Sequence, residues 1–88
     1  MESADRLARL RFRAWHRGTR EADYMIGGFY DRYHREWGEP EVAWFEALLD
    51  EDDVDILGWA LRTLSVPPEH AGVWMERLQR LDYVEMPG

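Results

Sequence analysis

The sequence predicts one all-α domain, a compact bundle of about five helices. Three observations carry that expectation. Apolar residues recur at three- and four-residue intervals in every segment. The breaks between segments are short and rich in Gly, Pro and acidic residues, as in small helical bundles. No stretch shows period-two alternation or a hairpin signal. With 88 residues there is room for a single small core, and an apolar content of 45% that includes five Trp is enough to fold one.

The first helix is expected to start at Ser3, a good capping residue, with Asp5 in its first turn facing the positive end of the dipole. Leu7, Leu10 and Ala14 form its stripe, with Phe12 and Trp15 beside it, and Gly18 stops it. A second helix begins there and places Ala22, Ile26, Phe29, Tyr33 and Trp37 on one face. Gly27 and Gly28 fall inside it, at a cost of about 1 kcal/mol each relative to Ala. Either another backbone approaches at that point or the helix bends. Gly38 ends this helix, and Pro40 suits the first turn of the third.

Val42, Phe45, Leu48 and Leu49 give the third helix its buried face. Asp53 is expected to cap the fourth, with Asp55 in the first turn and Ile56, Leu57, Ala60, Leu61 and Leu64 as its stripe. "SVPPEH" breaks the chain before a fifth helix marked by Ala71, Trp74, Met75, Leu78 and Leu81. The domain is read as residues 1–88, with a frayed tail from about residue 83.

Charge is unevenly distributed. Residues 1–35 hold eight Arg against five acids, whereas residues 36–88 hold three Arg against thirteen, which gives the net −7. There is no Lys, so every cationic side chain is a guanidinium fork suited to carboxylates. So acidic a chain is a poor binder of nucleic acid, whose affinity depends on phosphate neutralisation. A protein partner is the expectation. No apolar run approaches the ~20 residues that span a bilayer, so no membrane insertion is expected. The Arg-rich start contains Glu2 and Asp5, unlike a transit peptide, and lacks the apolar core of a secretory signal. A bacterial-type cytoplasmic protein is therefore expected. The lack of Cys excludes disulfides, thiolate zinc sites and a Cys nucleophile.

Signatures of catalysis are missing. His16, His34 and His70 are scattered without metal-ligand spacing and read as surface or partly buried side chains. Ser3, Thr19, Thr63 and Ser65 lie in no nucleophile motif. "DEDDVD" at 50–55 fails as a calcium loop, since the sixth position is Asp55 rather than Gly, and reads as a solvated turn. No catalytic residue, no metal and no enzymatic activity are expected. The five Trp fall one per helix; core packing is their default, and an exposed one would mark an interface.

"HRGTREAD" at 16–23 stands apart. With Gly18 as N-cap, Glu21 would sit at N3 and accept the cap's N–H, half of a capping box. Glu21 and Asp23 would complement the dipole, and Arg17 could pair with Glu21. None of this explains a Gly where Ser or Asp caps better. A Gly between Arg17 and Arg20 leaves room for another backbone, flanked by charge.

The stretch is similar to the R-G-x-x-E motif of the SdhE-type FAD assembly factors, also called succinate dehydrogenase assembly factor 2. "LLDEDDVDILGWAL" resembles that family's second signature, and the likeness runs over residues ~5 to 80. The resemblance implies a five-helix domain that binds the flavoprotein subunit of succinate dehydrogenase, or of fumarate reductase in some bacteria. It implies promotion of covalent FAD attachment to a His of that subunit. The motif carries over as Arg17, Gly18 and Glu21, with Asp23 as a fourth position; His16 and Arg20 complete the expected partner-binding set. Many members carry a second Arg where this chain has His16. The implied protein is a chaperone without a cofactor of its own, FAD belonging to the partner, and a monomer when free. A regulatory interaction module, such as an antitoxin-like factor, is the alternative.

Overall fold

Residues 2–84 are described by a computed structural model, with side chains from residue 4 onward. Five α-helices follow one another: α1 (Glu2–Trp15), α2 (Arg20–Tyr33), α3 (Glu39–Leu49), α4 (Asp53–Ala60) and α5 (Val73–Arg80). Short 3-10 turns at His34–Glu36 and Pro68–His70 follow α2 and precede α5, and no strand occurs among the described residues. The all-α expectation holds.

The stripes read from the sequence are the faces that meet. Leu10 and Ala14 of α1 are buried with Ala22, Ile26, Phe29 and Tyr33 of α2. The two helices run antiparallel: the Tyr30 hydroxyl, late in α2, donates to the Leu7 carbonyl early in α1, at 3.0 Å. Val42, Phe45, Leu48 and Leu49 of α3 close the core beneath them. Phe29 is its centre, with the rings of Tyr33, Trp37, Trp44, Phe45 and Tyr83 all within 6.1 Å of its own. Of the five Trp, Trp59 is buried and the other four are half-buried, so none stands fully in solvent.

The two glycines inside α2 serve two different close approaches. A Cβ at Gly27 would lie 2.2 Å from the Trp15 ring, so only Gly lets that indole lie flat on the helix. At Gly28 the neighbour is backbone, the Tyr83 carbonyl oxygen, 3.1 Å from where a Cβ would sit. This second contact corrects the expected tail. Tyr83 is buried, and its hydroxyl donates to the Leu78 carbonyl at 2.6 Å. The folded domain therefore includes Tyr83, and half-buried Val84 packs at the core's edge. The expected fraying of 85–88 lies outside the described residues.

Helix ends differ from expectation at five places. Backbone at Ser3 is already helical, so Ser3 is not the cap of α1. The N-cap of α2 is Thr19 rather than Gly18, and that of α4 is Asp52 rather than Asp53. α2 ends at Tyr33, short of Gly38, which instead begins α3. There the Glu41 carboxylate accepts the Gly38 N–H at 2.8 Å, the bond anticipated between Gly18 and Glu21. Finally, α4 stops at Ala60 in a Schellman motif. The Thr63 N–H reaches back to the Gly58 carbonyl (2.8 Å) and the Arg62 N–H to that of Trp59 (3.2 Å), with Arg62 at φ +64°. Leu61 and Leu64 are consequently exposed rather than part of the core.

Candidate functional site

The charge asymmetry of the chain becomes three clamps in the fold. Arg6 and Arg13 lie seven residues apart on one face of α1, and Arg17 follows just beyond its end. Arg6 forks onto Glu39 and Glu46, both at 2.6 Å. Its hydrogen bonds hold the Glu46 carboxyl below the usual carboxylate range. Arg13 meets Asp50 at 2.7 Å. Arg17 closes the row, and it is the most enclosed of the three.

The Arg17 side chain is only 11% exposed. Its Nε donates to Asp53 Oδ1 at 2.7 Å, its Nη1 to the Leu49 carbonyl at 3.0 Å and its Nη2 to the Glu51 carbonyl at 3.1 Å. Both carbonyls lie in the turn that leaves α3, where a helix end has unpaired acceptors to offer. From the opposite side, buried His70 reaches the Glu51 carboxylate through Nε2 at 2.7 Å. The acidic turn at 50–55 is thus not a free solvated loop. It is held by Arg13, Arg17 and His70. Glu51, Glu69 and His70 also bring three potential ligand atoms within 4.8 Å of one another. The direct His70–Glu51 bond accounts for that cluster.

Latching Arg17 fixes the chain around it. Its own N–H donates to Asp23 Oδ1 at 2.6 Å, which folds the junction back over the start of α2. Thr19, in extended geometry, accepts the Ala22 N–H through its hydroxyl at 3.2 Å and so caps the helix. Between the latch and the cap, Gly18 takes φ +116°, a conformation that side chains rarely adopt. A Cβ there would meet nothing within 4 Å. Gly18 is needed for its backbone, and open space lies beyond it.

This geometry divides the expected site residues into two groups. Arg17 and Asp23 are turned inward and hold the junction; Arg17 pairs with Asp53, not with Glu21 as anticipated. His16, Gly18, Arg20 and Glu21 are exposed. Glu21 stands at N2, not N3, still within the first turn where the dipole favours an acid. A shallow depression of about 520 Å³ lies over this edge, with His16, Gly18, Arg20 and Tyr24 among its lining.

Comparison with known proteins bears on what such an edge is for. Residues 8–82 match the family described as flavinator of succinate dehydrogenase. The chain belongs to that family. It is similar to the FAD assembly factor SdhE of Acetobacter pasteurianus, with 36% identity over 75 residues, covering 85% of this chain and 69% of that protein. It also resembles the mitochondrial succinate dehydrogenase assembly factor 2 of Scheffersomyces stipitis, 38% identical over 61 residues, which cover 69% of this chain and 41% of the relative. The Drosophila virilis protein of the same name is 33% identical over 69 residues, 76% of this chain and 44% of its own length. The chain thus spans less than half of these two mitochondrial relatives.

Within the family match, both expected signatures fall in one place. The turn that ends "LLDEDD" supplies the three acceptors of the Arg in "RGTRE", so the two segments form one structural unit. Asp53, expected as a cap, is instead the counter-ion of Arg17, and Asp52 holds the cap position. His70, expected at or near the surface, is buried.

Proposed function

We propose that this chain is an assembly factor that binds the flavoprotein subunit of succinate dehydrogenase and promotes covalent attachment of FAD to it. Membership of the flavinator family supports that reading. The observation that carries it is the geometry at Gly18: an open backbone position that only glycine adopts readily, bordered by exposed Arg20 and Glu21, on a junction locked from behind by Arg17. A site built this way presents charge and bare backbone in a fixed arrangement, which suits recognition of another protein.

The mode of action is positioning. The flavin ring and the partner's His provide the chemistry, and a bound helper holds the subunit in the arrangement where the two approach. No group of this chain is assigned a catalytic role. FAD stays with the partner in this proposal. The depression nearest the motif sets Arg20 against Asp23, and a second sets Arg32 against Asp31 and Asp82. The carboxylates in these two depressions would oppose a pyrophosphate there, which favours FAD staying with the partner. A monomer acting in the cytoplasm, on a soluble subunit not yet assembled, completes the reading; none of the described helices is long and apolar enough to cross a membrane. The flavoprotein subunit of fumarate reductase, which the motif resemblance implies for some bacteria, is a second partner for the same surface in this proposal.

Deletion of the gene tests the proposal directly. Covalent flavin on the succinate dehydrogenase flavoprotein subunit, read as in-gel fluorescence, is expected to fall and to return on complementation. Undiminished flavin in the deletion strain refutes it.

A further inference from the structure

We propose that Phe12 and His16 form an aromatic step that extends the Gly18–Glu21 edge and receives an apolar side chain of the flavoprotein subunit ringed by carboxylates. This rests on the assembly-factor reading and adds to it a second contact, on a different helix. A lone exposed apolar side chain needs no explanation. This one differs in how it is held. Phe12 is 62% exposed, and its ring stacks on that of His16 with centroids 4.0 Å apart and planes 16° from parallel. His16 Nδ1 faces the Phe12 carbonyl oxygen at 2.7 Å and donates to it, which fixes the tautomer and leaves Nε2 facing outward. Two flat rings are therefore pinned in solvent before any partner arrives. Ordering at an interface is a main cost of binding, and here it is already met.

Position and charge point to the occupant. A depression of about 330 Å³ beside the step is lined by Ala8, Arg11, Phe12, Trp15 and His16. It shares Trp15 and His16 with the depression over Gly18 and Arg20, so the two make one continuous surface. Arg6, Arg13 and Arg17 are spent on the clamps. Arg9 and Arg20 have no ion-pair partner among the described residues, and Arg11 comes only within 3.9 Å of Asp31. An aromatic centre edged by unspent guanidiniums is the composition of a binding hot spot. Arg9 and Arg11 flank Phe12 along α1 and the depression beside it has no acid in its lining, so in a chain of net charge −7 this helix face selects an acidic patch with an apolar centre. His16 is then the residue that pins the platform.

The test is calorimetric titration of the purified succinate dehydrogenase flavoprotein subunit with wild-type protein and with Phe12→Ala, Phe12→Trp and Arg9→Ala, alongside thermal melts. Phe12→Ala is expected to weaken binding about tenfold or more without lowering the melting temperature, and Phe12→Trp to retain affinity. Arg9→Ala is expected to flatten the salt dependence of binding. Wild-type binding with Phe12→Ala within about twofold of it would overturn the aromatic step and leave the assembly-factor reading standing. A wild type that does not bind the subunit at all would overturn both. Binding of wild type to anionic vesicles, abolished by Phe12→Ala while subunit affinity is unchanged, would also overturn the step and assign it to a membrane surface.

Discussion

Replacing Arg17 by Ala is the perturbation with the largest expected consequence for folding. The guanidinium makes three hydrogen bonds, to Asp53 and to the Leu49 and Glu51 carbonyls, from a position only 11% exposed. Hydrogen bonds involving a charged group contribute about 1.5–3 kcal/mol each, so full loss of three would cost about 4.5–9 kcal/mol. That is an upper bound, because Asp53 is 26% exposed and water can reach part of what the Arg vacates. About 2–4 kcal/mol is the expected loss, a large share of the stability of a domain this small. In melting temperature it corresponds to a fall of about 8–32 °C, at about 4–8 °C per kcal/mol.

Urea and thermal unfolding followed by Trp fluorescence would measure it. Arg17→Lys is expected to recover less than half, since an ammonium keeps the charge and loses the fork. Asp53→Ala should cost much less in the Arg17→Ala background than alone, with a coupling of about 1–2 kcal/mol. An Arg17→Ala protein that melts within about 3 °C of wild type would refute the latch. Arg17 would then be available to a partner after all.

Other outcomes follow from single contacts. Gly27→Ala places a Cβ 2.2 Å from the Trp15 ring and is expected to cost about 1–3 kcal/mol, with a shift in Trp emission as the indole is displaced. Arg62→Gly removes the strain of a side chain at φ +64° and should raise stability by about 0.5–1 kcal/mol in the same unfolding assay. Burial pushes the Tyr83 phenol well above its ordinary value, so it stays neutral in the fold where the unfolded chain would ionise. Its contribution is intact below about pH 10, the unfolded value, and shrinks as pH climbs above that. Tyr83→Phe should cost about 1 kcal/mol at neutral pH and make the alkaline loss of stability shallower.

The helices were legible wherever period and punctuation agreed. α3 is the clearest case: Gly38 and Pro40 mark its start, and the four positions expected to form its buried face are its four buried ones. Legibility failed where the deciding quantity was a backbone angle. Thr19 and Gly18 are both acceptable caps by residue type, and only the need for φ +116° at position 18 gives the cap to Thr19. Likewise the apolar period runs on through Leu61 and Leu64, while the chain turns left-handed at Arg62 without a Gly to announce it. Tyr83 looked like tail because too few residues follow α5 to form another element. The pairing of Arg17 with Asp53, 36 positions away, has no local signal. Its trace in the sequence was the charge asymmetry: arginines gathered before residue 36 and acids after it, of which Arg6, Arg13 and Arg17 are spent within the chain.

That outcome changes what a loss of flavinylation can mean. Arg17 and Asp23 carry the junction, so their removal is expected to lower covalent flavin on the partner by unfolding the edge, whatever the partner touches. Variants of these residues cannot separate contact from scaffold. Gly18 mixes the two: any L-residue there strains the backbone by about 1–3 kcal/mol, yet a Cβ meets open space. A D-alanine at position 18, introduced by chemical synthesis, separates them, because its mirror-image preference accepts positive φ. It should therefore melt at or above the wild-type temperature while adding a methyl group at Cα, in place of the hydrogen opposite to the one an L-residue would replace. With such a protein fully folded, reduced flavinylation in a reconstituted reaction with the flavoprotein subunit and FAD means that a partner backbone comes close at this position. Undiminished flavinylation means that Gly18 serves the turn alone, and that Arg20 and Glu21, with the aromatic step on α1, make the contact.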